Sequence, residues 1–306
     1  MAKILYVEDD PSLAQLVVIA LERAGHRCTH LLEGTRMLEV VRSERPDAIV
    51  LDWMLPGTDG IELCRELKGD VNLRRIPVLF LTSKSEPEDK TTGFLAGADD
   101  YMVKPFSPIE LVLRVEALLR RSVEMLDRNP LTRMPGQRAL YAEIERRMKA
   151  GQPYAVCQVD LNHFKAYNDA YGFARGDEVI IMTGRVLSEI VEGKGGPADF
   201  AAHLGGDDFL LIVEPECVES VCRDIVAQFS DEIRQYFSSE DVEKGSFESV
   251  DRAGNPCVFP LTSIAVAVVV DRSRYYHDLE EISADLAEIK RRVKASPGGA
   301  YAIRSV

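Results

Sequence analysis

The sequence predicts two domains: an N-terminal α/β domain with a doubly wound five-stranded parallel sheet, and a C-terminal α+β domain with a mixed sheet. Short apolar segments alternate with amphipathic ones over residues 1–121, as in parallel sheets that helices cover on both faces. From residue 131 the order changes, and a hairpin pattern lies among longer helical segments. The chain has 306 residues, of which 46% are hydrophobic, so it is long enough to form two cores.

The elements of the first domain follow from this alternation. The predicted strands are KILYV, HRCTHL, PDAIVLDWML, IPVLFLTS and DDYMVKP. The predicted helices are SLAQLVVIALERAG, GTRMLEVVRSE, IELCRELKG, PEDKTTGFLAGA and PIELVLRVEALLRR. The last helix begins after Ser107, with Pro108 at its first position, and ends before Asn129, because the proline that follows disfavours helix there. These limits give a first domain at 1–121, a linker at 122–130 and a second domain at 131–306.

The second domain begins with a predicted helix at 135–150 and a strand at 154–161. A helix that ends near Gly172 and another at 177–193 follow, and then the hairpin DFAAHLGGDDFLLIVE. A helix at 216–237, the strand PLTSIAVAVVV and a helix at 279–295 complete the domain. The polar segment 238–257 is longer than the usual connection of about 4 to 6 residues, and we expect a loop or a hairpin there.

The charge of the chain limits its partners. It carries 37 basic and 50 acidic residues, a net charge of -13, which argues against nucleic acid and anionic membranes. No apolar segment approaches the roughly 20 residues that span a bilayer, and the N-terminus lacks the apolar core of a signal peptide. We therefore expect a cytoplasmic protein, in which any nucleotide is held locally together with a divalent cation.

A candidate phosphate-transfer site lies at the ends of strands in the first domain. Glu8, Asp9 and Asp52 follow predicted strands whose carboxyl ends share one edge of the sheet. Three acids near one point repel each other unless a hard cation such as Mg²⁺ neutralises them. Such a cation would orient a phosphoryl donor for attack by one carboxylate, while Lys104 would balance the charge of the phosphate. The alternative is that the acids only solvate the strand ends.

The motifs VEDDP, VLDWMLPGTDG, LTSK and GADDYMVKPF make residues 1–121 resemble the receiver domain of response regulators, which has a flavodoxin-like fold. The resemblance implies that a sensor histidine kinase phosphorylates Asp52. It also implies that Glu8, Asp9, Asp52 and the Met54 carbonyl bind Mg²⁺. The residues of the phosphorylation switch would be Thr82, Tyr101 and Lys104.

The first domain is also similar to the receivers of winged-helix transcription factors, which pair through their fourth helix, fifth strand and fifth helix. The positions that match this dimer are Lys90, Phe94, Asp100, Glu110, Val112 and Arg114. The resemblance implies a homodimer that phosphorylation favours, and the alternative is ordinary surface charge. A DNA-binding output is disfavoured, because the chain is acidic and no helix-turn-helix pattern follows residue 130.

A second group of acids lies in the C-terminal domain. Asp160 ends an apolar strand, and Asp207 and Asp208 lie at the tip of the predicted hairpin. If the two strands are neighbours, these acids meet at one edge, as a divalent cation that carries a triphosphate requires. Gly205 and Gly206 would let the backbone approach phosphate oxygens closely. The alternative is an ordinary turn, in which glycine and aspartate are common.

The segment DLNHFKAYNDAYGFARGDE followed by GGDDF resembles the GGDEF domain, and NPLTRMPGQR is similar to the motif that begins it. This family has a fold of the nucleotide-cyclase type, and its diguanylate cyclases condense two GTP into cyclic di-GMP. The resemblance covers about residues 129–306. It implies that Asp160, Asp207 and the Leu161 carbonyl bind Mg²⁺ and that Asn168 and Asp177 bind guanine. It also implies that the phosphates are bound by Lys165, Gly205, Gly206 and Lys294. The catalytic candidates are Asp207 and Asp208.

Several positions depart from the GGDEF pattern. Asp208 replaces the usual glutamate and is one methylene shorter, and a misplacement of about 1 Å can lower a rate about a hundredfold. His203 stands where the family often has arginine, and the arginine expected shortly after the last lysine is absent. The product-inhibition motif RxxD keeps only Asp199, since Gly196 replaces the arginine that would bind phosphate. The alternative to a cyclase is therefore an inactive domain that binds GTP or a protein partner.

Overall fold

The computed structural model describes residues 1–83, 96–196, 199–251, 254–294 and 299–306. The chain divides into two compact units, Met1–Leu126 and Asp127–Val306. The helix predicted at 87–98 lies mostly outside the described residues. The predicted limits of the linker, 122–130, stay a prediction.

The described residues of the first unit form the predicted five-stranded parallel sheet. The strands of this sheet are β1 (Lys3–Val7), β2 (Arg27–Leu31), β3 (Ala48–Asp52), β6 (Val78–Thr82) and β7 (Asp100–Val103). The short strands β4 (Met54–Leu55) and β5 (Thr58–Asp59) form a separate two-stranded ladder. The order in the sheet is β2-β1-β3-β6-β7. The described helices are α1 (Pro11–Arg23), α2 (Met37–Glu44), α3 (Gly60–Gly69) and α4 (Pro108–Asp127).

Local chemistry fixes where the helices of this unit begin. The side chain of Asp10 accepts hydrogen bonds from the main-chain N–H groups of Ser12 (2.8 Å) and Leu13 (3.2 Å), and Pro11 is the first residue of α1. The Asp10 side chain thus caps α1 and does not belong to the neighbouring acid cluster. α4 begins at Pro108, as predicted.

The two faces of the parallel sheet are both covered by apolar side chains. Every residue of β3 and β6 is buried. Along β6, Phe80 packs into one cluster and its neighbours Leu79 and Leu81 pack into the other, because successive side chains of a strand point to opposite faces. The functional side chains are therefore confined to the strand ends.

The second unit has a mixed five-stranded sheet, which confirms the predicted α+β class. Its strands, with the separate ladder β11–β12, are β8 (Tyr154–Asn162), β9 (Phe200–Gly205), β10 (Asp208–Val213), β11 (Ser246–Val250), β12 (Pro256–Pro260), β13 (Ser263–Asp271) and β14 (Ala300–Ser305). The described helices are α5 (Gln137–Ala150), α6 (Phe164–Tyr171), α7 (Phe173–Lys194), α8 (Val218–Glu232), α9 (Ser239–Lys244) and α10 (Leu279–Lys294). The order of the sheet is β14-β13-β8-β10-β9.

Three elements of this unit differ from the prediction. α7 begins at Phe173, four residues before the predicted 177, and the helix predicted at 216–237 ends as a 3₁₀ turn, Ile233–Tyr236. β14 was not predicted, because its half-buried residues AYAIRS lack a continuous apolar run. It pairs with β13 in parallel and borders the sheet. The polar segment 238–257 contains α9, β11 and the start of β12, so most of it is a short helix and a hairpin.

Candidate functional site

Three acids lie together at the carboxyl edge of the parallel sheet. Glu8 follows β1 and is 1% exposed, Asp52 ends β3 and is 5% exposed, and Asp9 is exposed. One oxygen of each lies within 4.8 Å of the others, which is a spacing that a divalent cation fits. Burial, which the Lys104 hydrogen bond only partly offsets, raises the pKa of Glu8. The cluster therefore offers oxygen ligands on its inner side and an opening at Asp9.

Lys104 follows β7 and joins two of these acids. Its Nζ lies 2.7 Å from Asp52 Oδ2 and 2.8 and 2.7 Å from the two Glu8 carboxylate oxygens. Burial opposes the charge of this ammonium, but the hydrogen bonds to Asp52 and Glu8 outweigh burial and raise its pKa. Lys104 is thus held in its charged form beside Asp52.

The other predicted residues of this site lie on neighbouring strand ends. Thr82 is the last residue of β6 and is buried, and its carbonyl accepts a hydrogen bond from the N–H of Lys104 at 2.7 Å. The N–H of Met54 donates to Asp52 Oδ1 at 3.1 Å, while its side chain is exposed. Tyr101 lies half-buried in β7.

The predicted dimer positions are only partly described. Lys90 and Phe94 lie outside the described residues. Arg114 pairs within one chain with Asp100 (2.9 Å) and with Glu110 (3.0 Å). Val112 is half-buried beside the core. The intermolecular pairing of these groups stays a prediction.

The acids of the second unit meet at one edge of its sheet. β8 and β10 are antiparallel neighbours in which Phe209 pairs with Val159, so that Asp208 and Asp160 lie beside each other. Asp160 is 4% exposed. Burial and then the charge of Asp160 raise the pKa of Asp207, which directly precedes Asp208 in sequence. Leu161, buried in β8, follows Asp160 directly.

Two lysines of α10 face this acid cluster. Lys290 Nζ lies 2.5 Å from Asp160 Oδ2 and 3.2 Å from Asp208 Oδ1, and Lys294 Nζ contacts Asp160 Oδ1. Burial opposes the charge of Lys290, but Asp160 and then Asp208 outweigh it and raise the pKa of the ammonium. Sequence reasoning found Lys294 and missed Lys290. The signal was available, because residues four apart share one face of a helix.

The tip of the β9–β10 hairpin depends on its two glycines. Gly205 has φ 142° and Gly206 has φ 60°, which are torsions that side chains disfavour. Apart from the adjoining residues, no atom of the described residues lies within 4 Å of a Cβ placed at either glycine, so the backbone there is open to a ligand. His203 supports the tip, since its Nε2 lies 3.0 Å from the Gly206 carbonyl oxygen and its Nδ1 lies 3.0 Å from Thr132 Oγ1.

The predicted guanine-binding residues lie on α6 and α7. Asn168 Oδ1 is buried and has no hydrogen-bond partner within the part of the chain that the structure describes. It lies against Gly176, where a Cβ would be only 1.8 Å away. Asp177 is exposed in the first turns of α7, and Lys165 is exposed in α6. A buried acceptor without a donor fits a ligand that brings one.

A buried ion pair occupies the place of the expected product-inhibition motif. Arg147 of α5 is 4% exposed and donates to Asp199 Oδ1 at 3.1 Å and to Glu143 Oε1 at 2.7 Å. The second oxygen of Asp199 accepts from the N–H groups of Gly196 (2.7 Å) and Glu214 (2.9 Å). Both oxygens of Asp199 are therefore used within the chain.

Comparison with known families agrees with the two units. Residues 4–116 match the response regulator receiver domain, and residues 126–244 match the diguanylate cyclase, GGDEF domain. The chain joins a receiver domain to a GGDEF domain. The chain thus has the domain order of a response regulator with an output domain of the diguanylate-cyclase type.

Curated relatives match part of the chain. The phosphate regulon transcriptional regulatory protein PhoB of Pseudomonas aeruginosa is 47% identical over 119 residues, 39% of this chain and 52% of the relative. The DNA-binding regulator RpaA of Synechocystis is 41% identical over 144 residues, 44% of this chain and 60% of the relative. The chain thus spans about half the length of the curated relatives it matches.

Part of the chain is also similar to solved structures. The BeF3-activated receiver domain of RstA from Klebsiella pneumoniae is 36% identical and covers 39% of this chain and 98% of that chain, with a TM-score of 0.36. A response regulator from Chloroflexus aurantiacus is 37% identical and covers 39% of this chain and 98% of that chain, with a TM-score of 0.38. Among the described residues, helices long and apolar enough to span a membrane are absent.

Proposed function

We propose that this chain is a phosphorylation-controlled diguanylate cyclase, which binds GTP with Mg²⁺ in its GGDEF domain and condenses two GTP into cyclic di-GMP and two pyrophosphates. The observation that carries the proposal is the placement of two lysines of α10 against Asp160, at the edge where Asp207 and Asp208 also lie. Acids for a cation and ammonium groups for a triphosphate occupy one edge, next to an open glycine backbone.

In the receiver, Asp52 takes a phosphoryl group from a phosphohistidine of the sensor kinase, so that a P–N bond breaks and a P–O bond forms. Lys104, already paired with Asp52, balances the added charge. Thr82 and Tyr101 form the switch that responds to it. Glu8, Asp9, Asp52 and the Met54 carbonyl would hold Mg²⁺, whose positive charge screens the acids and the phosphoryl oxygens.

In the GGDEF domain, each group of residues has one proposed task. Asn168 and Asp177 hydrogen-bond the guanine edge, which discriminates against adenine because unmatched polar groups would stay unpaired. Asp160, Asp207 and the Leu161 carbonyl would hold Mg²⁺, which supplies charge to the triphosphate. The phosphates contact Lys165, Lys290 and Lys294, together with the backbone of Gly205 and Gly206.

The reaction needs two subunits. The 3′-hydroxyl of each GTP attacks the α-phosphorus of the other, two ester bonds form, and two bonds to pyrophosphate break. Asp208 and Asp207 are the candidates to accept the hydroxyl protons. Dimerisation through the receiver positions Lys90, Phe94, Asp100, Glu110, Val112 and Arg114 would bring two GGDEF domains together, so phosphorylation would control turnover. We also propose a cytoplasmic location, with neither nucleic acid nor membrane as partner.

The test is incubation of the purified chain with GTP and Mg²⁺, with and without beryllofluoride as a phosphate mimic on Asp52, followed by separation of nucleotides by mass. Cyclic di-GMP that increases with the mimic supports the proposal. If the mimic dimerises the chain but GTP stays intact, the proposed turnover is contradicted. That outcome favours an output domain that binds GTP or a protein partner.

Asp208→Glu sharpens this test. The longer side chain restores the usual acid of the family, so turnover should stay equal or increase, while Asp207→Asn should abolish it by removing a metal-binding carboxylate. Product formation by both variants is measured under the mimic. If the Asp208→Glu variant binds GTP but forms no cyclic di-GMP, the GGDEF domain is inactive.

A further inference from the structure

A small substructure lies beside the proposed nucleotide site. The antiparallel pair β11–β12, here called the insertion hairpin (Ser246–Pro260), is separate from the five-stranded sheet. The GGDEF match ends at residue 244, so the hairpin lies beyond the matched residues. None of the roles proposed above uses it.

Aromatic side chains join the insertion hairpin to α6. Phe247 of β11 is 2% exposed, and its ring centroid lies 6.4 Å from that of Tyr167 and 6.2 Å from that of Tyr171, both on α6. Phe237 and Phe259 surround Phe247 at 5.3 and 5.9 Å. One side of α6 is therefore packed against rings that the hairpin holds in place.

Hydrogen bonds fix α6 in the same position. Ser249 Oγ of β11 donates to the carbonyl of Ala166 at 2.7 Å. Tyr171 Oη donates to Asp241 of α9, the short helix that leads into the hairpin. Since α6 has only eight residues and an isolated helix of that length is unstable in water, these contacts determine where it lies.

The helix held in this way carries Asn168, which follows Tyr167 in sequence. Its buried Oδ1 faces Gly176 of α7 and lacks a partner among the described residues. The insertion hairpin and α7 thus both constrain the amide of Asn168. By contrast, the lysines that face Asp160 lie on α10.

We propose that the insertion hairpin positions α6 so that Asn168 meets the nucleotide base, which makes Phe247 a positioning residue for guanine recognition. The inference rests on the proposed binding of GTP. The inference predicts different effects on the two parts of GTP. A substitution that weakens the packing of the hairpin against α6 should weaken binding of the base and leave binding of the triphosphate unchanged.

The test uses the full chain and two ligands, GTP and inorganic triphosphate, each titrated with Mg²⁺ by calorimetry. Phe247→Ala should bind GTP about tenfold more weakly, the equivalent of one lost hydrogen bond, with unchanged affinity for triphosphate. Phe247→Leu, which refills the space, should recover most of the loss. Val258→Ala is the control, because Val258 lies on the same hairpin and is 62% exposed.

Equal weakening of both ligands by Phe247→Ala would overturn the inference, since it would indicate general destabilisation. Should that variant not fold, Ser249→Ala removes only the hydrogen bond to α6 and should weaken GTP binding about threefold. Unchanged GTP affinity in the folded variants also overturns the inference, while the proposed function stands. A wild-type chain that binds triphosphate but not GTP contradicts both.

Discussion

The side chain of Asn168 depends on the absence of a side chain at Gly176. A Cβ at Gly176 would lie 1.8 Å from Asn168 Oδ1, so any larger residue must displace the amide. This close approach explains why the first turns of α7 contain a residue that weakens a helix by about 1 kcal/mol relative to alanine. If Asn168 binds the base as proposed, base recognition and not helix stability accounts for glycine there.

Gly176→Ala should lower the affinity for GTP about tenfold, because the displaced amide loses a hydrogen bond to the base. Gly193→Ala is the matched control, since Gly193 lies in the same helix and a Cβ there has no atom of another described part of the chain within 4 Å. Calorimetric titration of GTP with Mg²⁺ measures both. Equal affinities in the two variants would contradict a role for Asn168.

We expect His203 to make the second unit sensitive to acid. Burial lowers its pKa below the usual 6.5, with a smaller opposing effect of the Gly206 carbonyl. The unfolded chain therefore binds this proton more readily than the folded chain, so the histidine reduces stability as the pH falls below about 6.5. His203→Gln should lose less stability than the wild type between pH 7.5 and pH 5.

Urea unfolding at the two pH values measures the effect. His277→Gln is the control, because it removes a histidine whose side chain is 83% exposed. Parallel loss of stability in the wild type and His203→Gln would show that other groups cause the acid sensitivity.

At the scale of elements, α5 begins after Gly136, which has no side chain to cap the helix. Asp127 replaces it, since its two carboxylate oxygens accept hydrogen bonds from the N–H groups of Arg138 and Ala139, each at 2.9 Å. The carbonyl of Asp127 also approaches Gly136 so closely that a Cβ would lie 1.9 Å from it. The residue that ends α4 thus stabilises the start of α5.

Asp127→Ala should lower the free energy of unfolding of the second unit by about 1 kcal/mol, because two N–H groups at a helix start lose their acceptor. Asp231→Ala, at an exposed position of α8, should change it by less than about 0.5 kcal/mol. Urea unfolding followed by circular dichroism measures both changes. Equal effects would show that the cap contributes nothing.

Elements with a strong apolar pattern could be predicted, and elements that depend on distant partners could not. β8 and β10 were found from their apolar runs, and their pairing brings Asp160 beside Asp208. β14 was missed because it is stabilised by pairing with β13 and by the ion pairs of Arg304 with α10, not by its own apolar content. Lys290 was missed because its importance depends on the position of Asp160, which is distant in sequence.

For the molecule as a whole, we expect the acidic net charge of -13 to outweigh the likeness to DNA-binding regulators. Non-specific affinity for DNA comes mainly from lysine and arginine side chains that neutralise phosphates. In this chain the 50 acidic residues outnumber the 37 basic ones. We predict no retardation of a DNA duplex by the chain at about 0.15 M salt. A mobility-shift assay with RpaA of Synechocystis as the positive control tests this, and retardation by the acidic chain would contradict it.

If the chain is the cyclase proposed above, the buried Arg147–Asp199 pair would affect how its response proceeds over time. With Asp199 fully bonded inside the chain and Gly196 in place of arginine, accumulated product should not slow an active cyclase at that position. Synthesis would then continue at a constant rate for as long as the receiver stays phosphorylated. The lifetime of the phosphoryl group on Asp52 would act as the timer, and the amount of second messenger would record the duration of the stimulus.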